Sequence, residues 1–487
     1  MNQGAAKKKR FAIVFLHLVL MAIISGCVVW TAKENLSTEA IPDFQDASSY
    51  ARMTYHLFHH GVISESFTEP PRPGNRREPG FSSYLALMMH FSPELQTIEL
   101  ADFTQDRGAT LLRRLQIPLL PVAAVCAWLL AYLLTGRLTY SYIAMLLVGF
   151  SQASILTMNS LFRELFMGVI LLIVAIMLVL ALRTRKPALF ALLGLALGGL
   201  VLTNAIYQYL IVILVGGWVV LFRRQTVENK RLLMCLVLLL VGYAVPTGAW
   251  MIRNERLFGR FYITDRAGDV MAIRAEYNNM TADEFCGAFL WWTPDPLVQK
   301  KAMQVMQEQG RWVKLHRSNP EGYYAVAKAL TNFIEPDETF ENASHRDKTI
   351  QKRAVRQLLH HPFRHLAATL PFAWRGMFFE HGYLVSAPFV IMIRSIIVVS
   401  LLYFASLFFW LVRSLRTRQW EVFGVVLLCV YLFGLNSFFS HNIPRYNQPA
   451  LPLLAVLFSM SLELILRRRR LTKVHSDTPK RDRPKRR

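Results

Sequence analysis

The sequence predicts an all-α, polytopic membrane protein, and three observations support this prediction. First, 53% of the 487 residues are hydrophobic and the mean hydropathy is +0.30, which is more apolar than a soluble chain of this length normally is. Second, several segments reach the roughly 20 apolar residues that a helix needs to cross a bilayer. Third, lysine and arginine crowd the connecting segments that would share one side of the membrane.

About ten apolar segments are predicted to cross the membrane as helices. They are residues 11–31, 114–135, 139–158, 165–182, 188–204, 205–222, 232–250, 388–412, 419–439 and 447–466. The first segment begins with basic residues, as a signal peptide does, but its long core and the absence of a convincing cleavage site favour an uncleaved anchor. Four of the five cysteines lie inside these segments, so no disulfide framework is predicted.

The net charge of +23 is explained better by membrane topology than by a nucleic-acid partner. The basic clusters all fall on one side if the N-terminus is cytoplasmic, and they are residues 7–10, 183–186, 223–224, 413–418 and the tail from 467. We therefore predict cytoplasmic termini, no nucleic-acid binding, and a basic tail that contacts anionic membrane lipids. The compact chain has no eukaryotic retention motif, which favours a bacterial inner membrane.

Two long polar segments, at about 32–113 and 251–387, interrupt the hydrophobic pattern, and both face the periplasm in this topology. The predicted domains are a transmembrane module with a catalytic first outer loop (1–264, loop 32–113), an outer helical subdomain (265–387), C-terminal transmembrane helices (388–466) and a cytoplasmic tail (467–487). The chain has no GxxxxGK[ST] phosphate loop and no nucleotide-binding βαβ pattern. The energy for any reaction must therefore come with the substrate.

Candidate catalytic residues occur in the first outer loop. Asp43 and Asp46 precede an amphipathic helix pattern whose apolar face includes Tyr50. Such acids are often helix caps, but a carboxylate partly shielded at the membrane surface is also what a general base requires. Downstream, Arg77 and Glu78 precede a Pro-Gly turn and a second amphipathic helix, where they are either substrate-binding residues or part of a plain loop.

Candidate phosphate-binding residues occur where two crossings meet water. Within residues 245–264 an apolar run ends in tryptophan and is followed by Arg253 and Asn254, whose donors suit the phosphate of a lipid with its tail in the bilayer. Arg445 and Tyr446 lie just before the last crossing, where prolines disturb the start of the helix. An arginine at this depth either extends its charge to the membrane surface or binds substrate.

These segments resemble, in order, the landmarks of the GT-C superfamily of polyprenyl-phosphate-sugar glycosyltransferases. The matching stretches are DASSY from 46, REPG from 77, WMIRNERLFGRF at 250–261 and IPRYNQPALP at 443–452. Within the superfamily the chain is most similar to the bacterial branch of protein mannosyltransferases and lipid A aminoarabinose transferases. Residues 353–376 are similar to the amphipathic segment that such proteins place before their later crossings.

The resemblance implies inverting transfer of a sugar from an undecaprenyl-phosphate type of donor to a hydroxyl or amine of a lipid, glycan or protein acceptor at the periplasmic face. It implies that Asp46 is the general base, with Asp43 in reserve, and that Arg253 and Arg445 bind the phosphate. Glu164 resembles an acidic position after the third crossing, or it caps the next helix. Because Ala47 replaces an acid that many relatives carry, the sequence disfavours a metal-dependent mechanism: no cofactor and no metal ligand are predicted, and a divalent metal stays an open alternative that no residue indicates.

Two other functions remain open at the level of sequence. A transporter or flippase of lipid-linked saccharides is expected to have similar halves and charges near the bilayer midplane, which this sequence does not show. A polymerase or ligase of lipid-linked saccharides differs in its diphosphate donor, which the sequence does not reveal. The pairs His59-His60 and His360-His361 do not predict a zinc site, because adjacent residues on a helix point in different directions.

Overall fold

The computed structural model describes residues 3–42, 46–223, 229–331, 340–378 and 389–477, and within these residues it is helical, without a β-strand. The α-helices, in chain order, are α1 (Gln3–Glu34), α2 (Asp46–His60), α3 (Gly80–Met89), α4 (Pro93–Gln96), α5 (Asp106–Arg114), α6 (Leu119–Thr135), α7 (Leu138–Gly149), α8 (Gln152–Asn159), α9 (Glu164–Thr184), α10 (Pro187–Thr203), α11 (Leu210–Arg223), α12 (Asn229–Phe258), α13 (Ala267–Glu276), α14 (Ala282–Trp291), α15 (Pro296–Gln309), α16 (Tyr323–Thr331), α17 (Phe340–His360), α18 (Pro362–Gly376), α19 (Phe389–Thr417), α20 (Trp420–Phe439) and α21 (Leu451–Asp477). Short 3-10 helices cover Ala205–Tyr209, Tyr277–Asn279, Val313–Leu315 and Pro444–Ala450.

The predicted all-α, polytopic membrane fold is confirmed. In the described residues, eight helical segments are long and apolar enough to cross a bilayer. They are Phe11–Glu34, Asp106–Thr135, Leu138–Asn159, Glu164–Thr184, Lys230–Phe258, Ile397–Thr417, Trp420–Phe439 and Pro444–Arg467. The other two predicted crossings, 188–204 and 205–222, correspond to the shorter apolar helices Pro187–Thr203 and Ala205–Val219. The total of about ten crossings stays a prediction.

Helix α10 packs tightly against α12 although it has only 17 residues. A Cβ atom added at Gly194 of α10 would lie 2.2 Å from the carbonyl oxygen of Leu239, and one added at Gly242 of α12 would lie 2.2 Å from that of Ala191. Small residues at such contacts let two helix backbones approach closely, which is a main source of attraction between helices in lipid. The glycines therefore explain how α10 joins the helical bundle.

Helix α9 lies at the centre of the bundle, where it packs against α6, α10, α20 and the 3-10 helix Pro444–Ala450. Most of its side chains are buried, as expected for a helix that is apolar on all sides. Helix α1 lies at the periphery, and its Phe11 and Leu16 side chains are 75% and 63% exposed. Such an apolar surface suits contact with lipid rather than with water.

The two ends of α9 separate the polar residues into two groups. Its 21 residues span about 30 Å, which is the thickness of the hydrocarbon core. Near its C-terminal end Arg183, in a segment predicted to be cytoplasmic, pairs at 3.2 Å with Glu421 at the start of α20. Its N-terminal residue, Glu164, pairs with Arg445 of the 3-10 helix before α21, and Arg445 also pairs with Asp46 at the start of α2. The segments predicted to lie outside therefore converge at one end of the bundle.

Two smaller cores support this end. The first outer loop folds around buried Tyr50 and Phe81 on α2 and α3. In the second segment predicted to lie outside, Arg274 of α13 is fully buried and donates hydrogen bonds to Asn278 and to the carbonyl oxygen of His365 on α18, at 2.8 and 2.9 Å. Burial lowers the pKa of Arg274 to about 9. The hydrogen bonds of Arg274 hold α13 against α18.

Helices α12 and α21 extend beyond the predicted crossings. Helix α12 continues to Phe258, so Arg253 and Asn254 lie within its last turns rather than after its end. Helix α21 continues to Asp477, past the predicted limit of 466. In both places charged residues with good helix propensity follow the apolar run, so the helix outlasts the hydrophobic pattern. The prolines before α21 form the 3-10 helix, which confirms the predicted disturbance of its start.

Candidate active site

Asp46, the first residue of α2, lies among three guanidinium groups. Its Oδ1 atom is 2.8 Å from Nη2 of Arg77 and 3.5 Å from Nη2 of Arg266, and its Oδ2 atom is 2.7 Å from Nη2 of Arg445. The arginines come from the loop before α3, the residue before α13 and the 3-10 helix before α21. Four distant parts of the chain thus meet at one carboxylate, whose charge also suits the positive end of α2.

Two further carboxylates balance the charge of these arginines. Glu65 Oε2 lies 3.2 Å from Nε of Arg77, and Glu164 Oε1 lies 3.3 Å from Nε of Arg445. We call this group the Asp46 cluster, and its members are Asp46, Glu65, Arg77, Glu164, Arg266 and Arg445. With three acids and three arginines, the cluster is formally neutral. Its charges are largely removed from water, since the Arg77, Glu164 and Arg445 side chains are 8%, 6% and 14% exposed.

Some polar atoms of the cluster remain without a hydrogen bond. Arg77 Nη1 and Glu164 Oε2 are buried and have no hydrogen-bond partner among the described residues. Arg445 Nε also lacks one, because its approach to Glu164 is an ion pair at an angle unsuited to a hydrogen bond. Buried polar groups are usually satisfied, so a cluster with three such atoms is a natural place for a polar ligand.

The arginines shift the protonation of Asp46 strongly. Burial would raise the pKa of this carboxyl, but the nearby charges of Arg266, Arg77 and Arg445 outweigh burial and hold the pKa well below its usual range. Burial would likewise lower the pKa of Arg77, but Glu65 and Asp46 outweigh it and raise that pKa. Asp46 and Arg77 are therefore both charged, and Asp46 is a weak base in the protein as described.

Glu78 lies in a separate ion pair that positions the loop carrying Arg77. It pairs with Arg163 and accepts a hydrogen bond from the backbone N–H of Ala205 at 2.8 Å. Arg163 also donates to the carbonyl oxygen of Thr203 at 2.8 Å. Gly80, two residues after Glu78, must be small because an added Cβ would lie 2.6 Å from the Thr203 hydroxyl oxygen. These contacts fix the start of α3 against the end of α10.

Aromatic rings line the Asp46 cluster. Tyr50 is buried one turn after Asp46, and the Arg77 guanidinium lies 5.3 Å from the centre of its ring. The Arg445 guanidinium lies 4.1 Å from the centre of the Phe162 ring and 5.7 Å from that of Tyr446. Burial raises the pKa of Tyr50, so its hydroxyl stays protonated. The rings shield the charges and orient the planar guanidinium groups.

Arg253 and Asn254 bind backbone rather than the Asp46 cluster. Arg253 Nη1 donates to the carbonyl oxygen of Gly74 at 2.9 Å, and its guanidinium lies 4.5 Å from the Trp250 ring. Asn254 is fully buried and donates to the carbonyl oxygen of Tyr262 at 2.8 Å. Because Gly74 precedes Arg77 by three residues, Arg253 supports the same loop that delivers Arg77 to Asp46.

The structure thus brings together some of the predicted site residues and adds others. Asp46, Arg77, Glu164 and Arg445 belong to one cluster, and Tyr50 and Tyr446 lie beside it. Glu78, Arg253 and Asn254 make the separate contacts described above, and Asp43 lies outside the described residues. Sequence reasoning missed Arg266, Glu65 and Arg163. Their only signal is a position in, or next to, segments predicted to face outward.

No family model matches this chain, and no curated protein matches it. Solved structures that share its fold include two of an archaeal enzyme. The archaeal oligosaccharyltransferase AglB from Archaeoglobus fulgidus, in complex with an inhibitory peptide and a dolichol-phosphate, aligns with a TM-score of 0.51 and 11% identity over 95% of this chain and 52% of that one. The apo form of the oligosaccharyltransferase from that organism aligns with a TM-score of 0.51 and 13% identity over 94% of this chain and 52% of that one.

A third structure is more distant. ArnT from Cupriavidus metallidurans bound to undecaprenyl phosphate aligns with 11% identity over 91% of this chain and 77% of that one, and its TM-score of 0.36 is too low to carry an argument. The chain spans about half the length of the archaeal enzymes. Identity this low shows the fold alone, which this chain shares with the archaeal oligosaccharyltransferases. The predicted branch of mannosyltransferases and aminoarabinose transferases stays a prediction.

Proposed function

We propose that this protein is an integral membrane glycosyltransferase. It takes a sugar from a polyprenyl-phosphate donor of the undecaprenyl type and transfers it, with inversion, to a hydroxyl or amine of a lipid, glycan or protein acceptor. The reaction takes place at the periplasmic face of a bacterial inner membrane. The observation that carries the proposal is the Asp46 cluster, in which a carboxylate and three arginines meet at one end of a transmembrane bundle with a GT-C fold.

The arginines suit the phosphate of a lipid donor. Arg445 lies just before the last transmembrane helix, so a phosphate bound there keeps its polyprenyl chain in the bilayer. Guanidinium groups hold phosphate oxygens through paired hydrogen bonds, and Arg77 Nη1 and Arg445 Nε make no hydrogen bond within the described residues. As the bond between sugar and phosphate breaks, negative charge grows on the phosphate. Arginines already fixed in place stabilise that charge without reorganisation.

Asp46 is the proposed general base, and donor binding prepares it for this role. In the protein as described its pKa is too low for efficient proton transfer. A bound phosphate takes up part of the charge of Arg266 and Arg445, so the pKa of Asp46 rises. Asp46 then accepts the acceptor's proton as the acceptor oxygen or nitrogen bonds to the anomeric carbon. The bond from that carbon to the phosphate oxygen breaks, and polyprenyl phosphate leaves on the arginines.

Transfer by purified protein in liposomes tests the proposal. Liposomes that contain polyprenyl-phosphate sugars and candidate acceptors are assayed with wild type, Arg445→Ala and Arg445→Lys. We expect the alanine variant to lose at least about 100-fold in kcat/KM, equivalent to about 2.7 kcal/mol of transition-state stabilisation. Lysine should restore activity only in part, because an ammonium cannot reproduce the paired hydrogen bonds. Arg311→Ala is the control, since this exposed arginine pairs with Asp283 in the outer subdomain.

Arg253→Ala gives a second comparison within the same assay. Arg253 acts through the backbone of the loop that carries Arg77, so we expect donor use to weaken by about tenfold while the protein still inserts into the membrane. Full activity in both alanine variants contradicts the proposed site. Movement of intact donor across the liposome without cleavage identifies a flippase, and activity with a diphosphate donor alone identifies a polymerase or ligase.

A further inference from the structure

Three potential metal ligands meet at the end of α2 that is remote from Asp46. His56 and His60 are one turn apart on this helix, and Glu69 follows in the loop after it. His56 comes ten positions after Asp46, which corresponds to about 15 Å along the helix. A potential ligand atom of each of the three residues lies within 4.8 Å of those of the other two. This group is separate from the Asp46 cluster.

His56 is arranged as a metal ligand usually is. It is fully buried, and its Nε2 atom lies 3.0 Å from the carbonyl oxygen of Ser66. A carbonyl oxygen only accepts hydrogen bonds, so Nε2 carries the proton and Nδ1 carries the lone pair. Nδ1 is buried and has no hydrogen-bond partner among the described residues. A histidine that donates one ring N–H to a backbone carbonyl and presents the other nitrogen is the usual state of a metal-bound imidazole.

The other two residues lie at the surface, next to His56. His60 Nε2 lies 3.1 Å from Glu69 Oε1, close to the separation of about 3.3 Å that two ligands have around a tetrahedral ion with bonds of about 2.0 Å. Their side chains are 33% and 46% exposed, so they can move the remaining distance towards the fixed His56. His59 is not one of the three residues whose potential ligand atoms come together, and its ring lies 4.3 Å from that of Tyr55 between centroids.

We propose that His56, His60 and Glu69 bind one divalent transition-metal ion, with zinc the best match for two imidazoles and a carboxylate. Water completes the coordination, as the exposure of His60 and Glu69 allows. The ion joins the C-terminal turn of α2 to the loop between α2 and α3. This loop also carries Glu65 and Arg77 of the Asp46 cluster. The role of the ion is structural: it holds this loop on α2, where Arg52 already donates to the Glu65 carbonyl oxygen at 2.9 Å.

Metal titration of the full-length protein tests this site. Tag-free protein in detergent is treated with a chelator, dialysed and titrated with Co²⁺, whose visible absorption reports tetrahedral coordination, and Zn²⁺ is then added in competition. We expect one site with a Kd of about 10 μM or tighter for Zn²⁺, and a rise in Tm on metal binding. His60→Asn and Glu69→Gln should each raise the Kd at least about tenfold. His59→Asn is the matched control and should bind like wild type.

His60→Asn and Glu69→Gln change exposed side chains, so we expect both variants to fold. The Tm of the metal-free proteins verifies this. Absence of a Zn²⁺ site tighter than about 100 μM in wild type overturns the proposal. Wild-type affinity in folded His60→Asn and Glu69→Gln overturns it as well, and leaves His60 and Glu69 as a surface ion pair. The readout is metal affinity, so it is independent of the glycosyltransferase activity proposed above.

Discussion

Asp46→Asn removes the negative charge that three guanidinium groups share, and the contacts of the cluster predict how lipid phosphate will respond. Two unit charges about 4 Å apart interact by about 4 kcal/mol at the effective dielectric constant of a protein boundary. A phosphate that enters the neutral cluster competes with Asp46 for this attraction. The change in the free energy of phosphate binding is smaller than this Coulomb energy, because the Asp46 side chain is 23% exposed and water and neighbouring groups readjust. We expect the phosphate to bind about tenfold more tightly to the variant, equivalent to about 1.4 kcal/mol.

Transfer should change in the opposite direction. Asparagine has nearly the size of aspartate and caps helices about as well, but it cannot accept the acceptor's proton. We therefore expect transfer to fall by about 100-fold or more while affinity for the lipid phosphate rises. Calorimetric titration with a short-chain polyprenyl phosphate and a transfer assay on the same preparation measure the two quantities. Asp283→Asn, which breaks an exposed ion pair with Arg311, should change neither.

Two results would refute this reasoning. If folded Asp46→Asn binds polyprenyl phosphate no more tightly than wild type, the phosphate and Asp46 do not share the arginines. If the variant transfers sugar at a near-normal rate, Asp46 is not the base. The two outcomes are separable because one is a binding constant and the other is a rate. A larger loss of transfer from Asp43→Asn would assign the base to the reserve residue.

Three further predictions concern the fold. Gly242→Ala should lower the Tm by several degrees, because the new Cβ would lie 2.2 Å from a backbone oxygen of α10, whereas Gly248→Ala on the same helix has open space and should not. Buried His365 has a pKa lowered by burial and by Arg274 to about 4, so the folded state disfavours its protonation. The unfolded chain binds this proton below about 6.5, so thermal stability should fall between pH 6.5 and 4, and less so in His365→Gln. Reporter fusions after residues 60 and 330 should both report a periplasmic location, and a cytoplasmic signal from either contradicts the topology.

The fold was largely predictable from the sequence because a bilayer imposes a simple rule of length and polarity on each crossing. Hydropathy located all eight long apolar segments. It did not locate their ends. Helix α12 continues through Arg253 and α21 continues past residue 466, because a helix outside the bilayer no longer needs apolar side chains. It also gave no measure of how Gly194 and Gly242 fit together, because close packing depends on which faces of two helices meet.

The candidate site was predictable only in part. Asp46, Arg77, Glu164 and Arg445 stand within recognisable motifs or at predicted membrane boundaries, so sequence reasoning selected them. Arg266 belongs to no motif, and its contact with Asp46 depends on how α13 packs against the first outer loop. A partner that is more than 200 residues away cannot be inferred from local spacing. The pairing of acids with arginines is therefore a property of the tertiary structure.

The charge balance of the Asp46 cluster explains why it contains acids as well as arginines. Three neighbouring arginines that are partly or wholly shielded from water and have no counter-ions would repel one another, so they would not stay close together. Asp46, Glu65 and Glu164 hold them in place before any phosphate arrives. Both carboxylate oxygens of Asp46 already face cations, so a divalent ion at this position would meet three positive charges. In the mechanism proposed above, the arginines provide the stabilisation of phosphate that a metal provides elsewhere, and the carboxylate that held them becomes the base once phosphate takes its place.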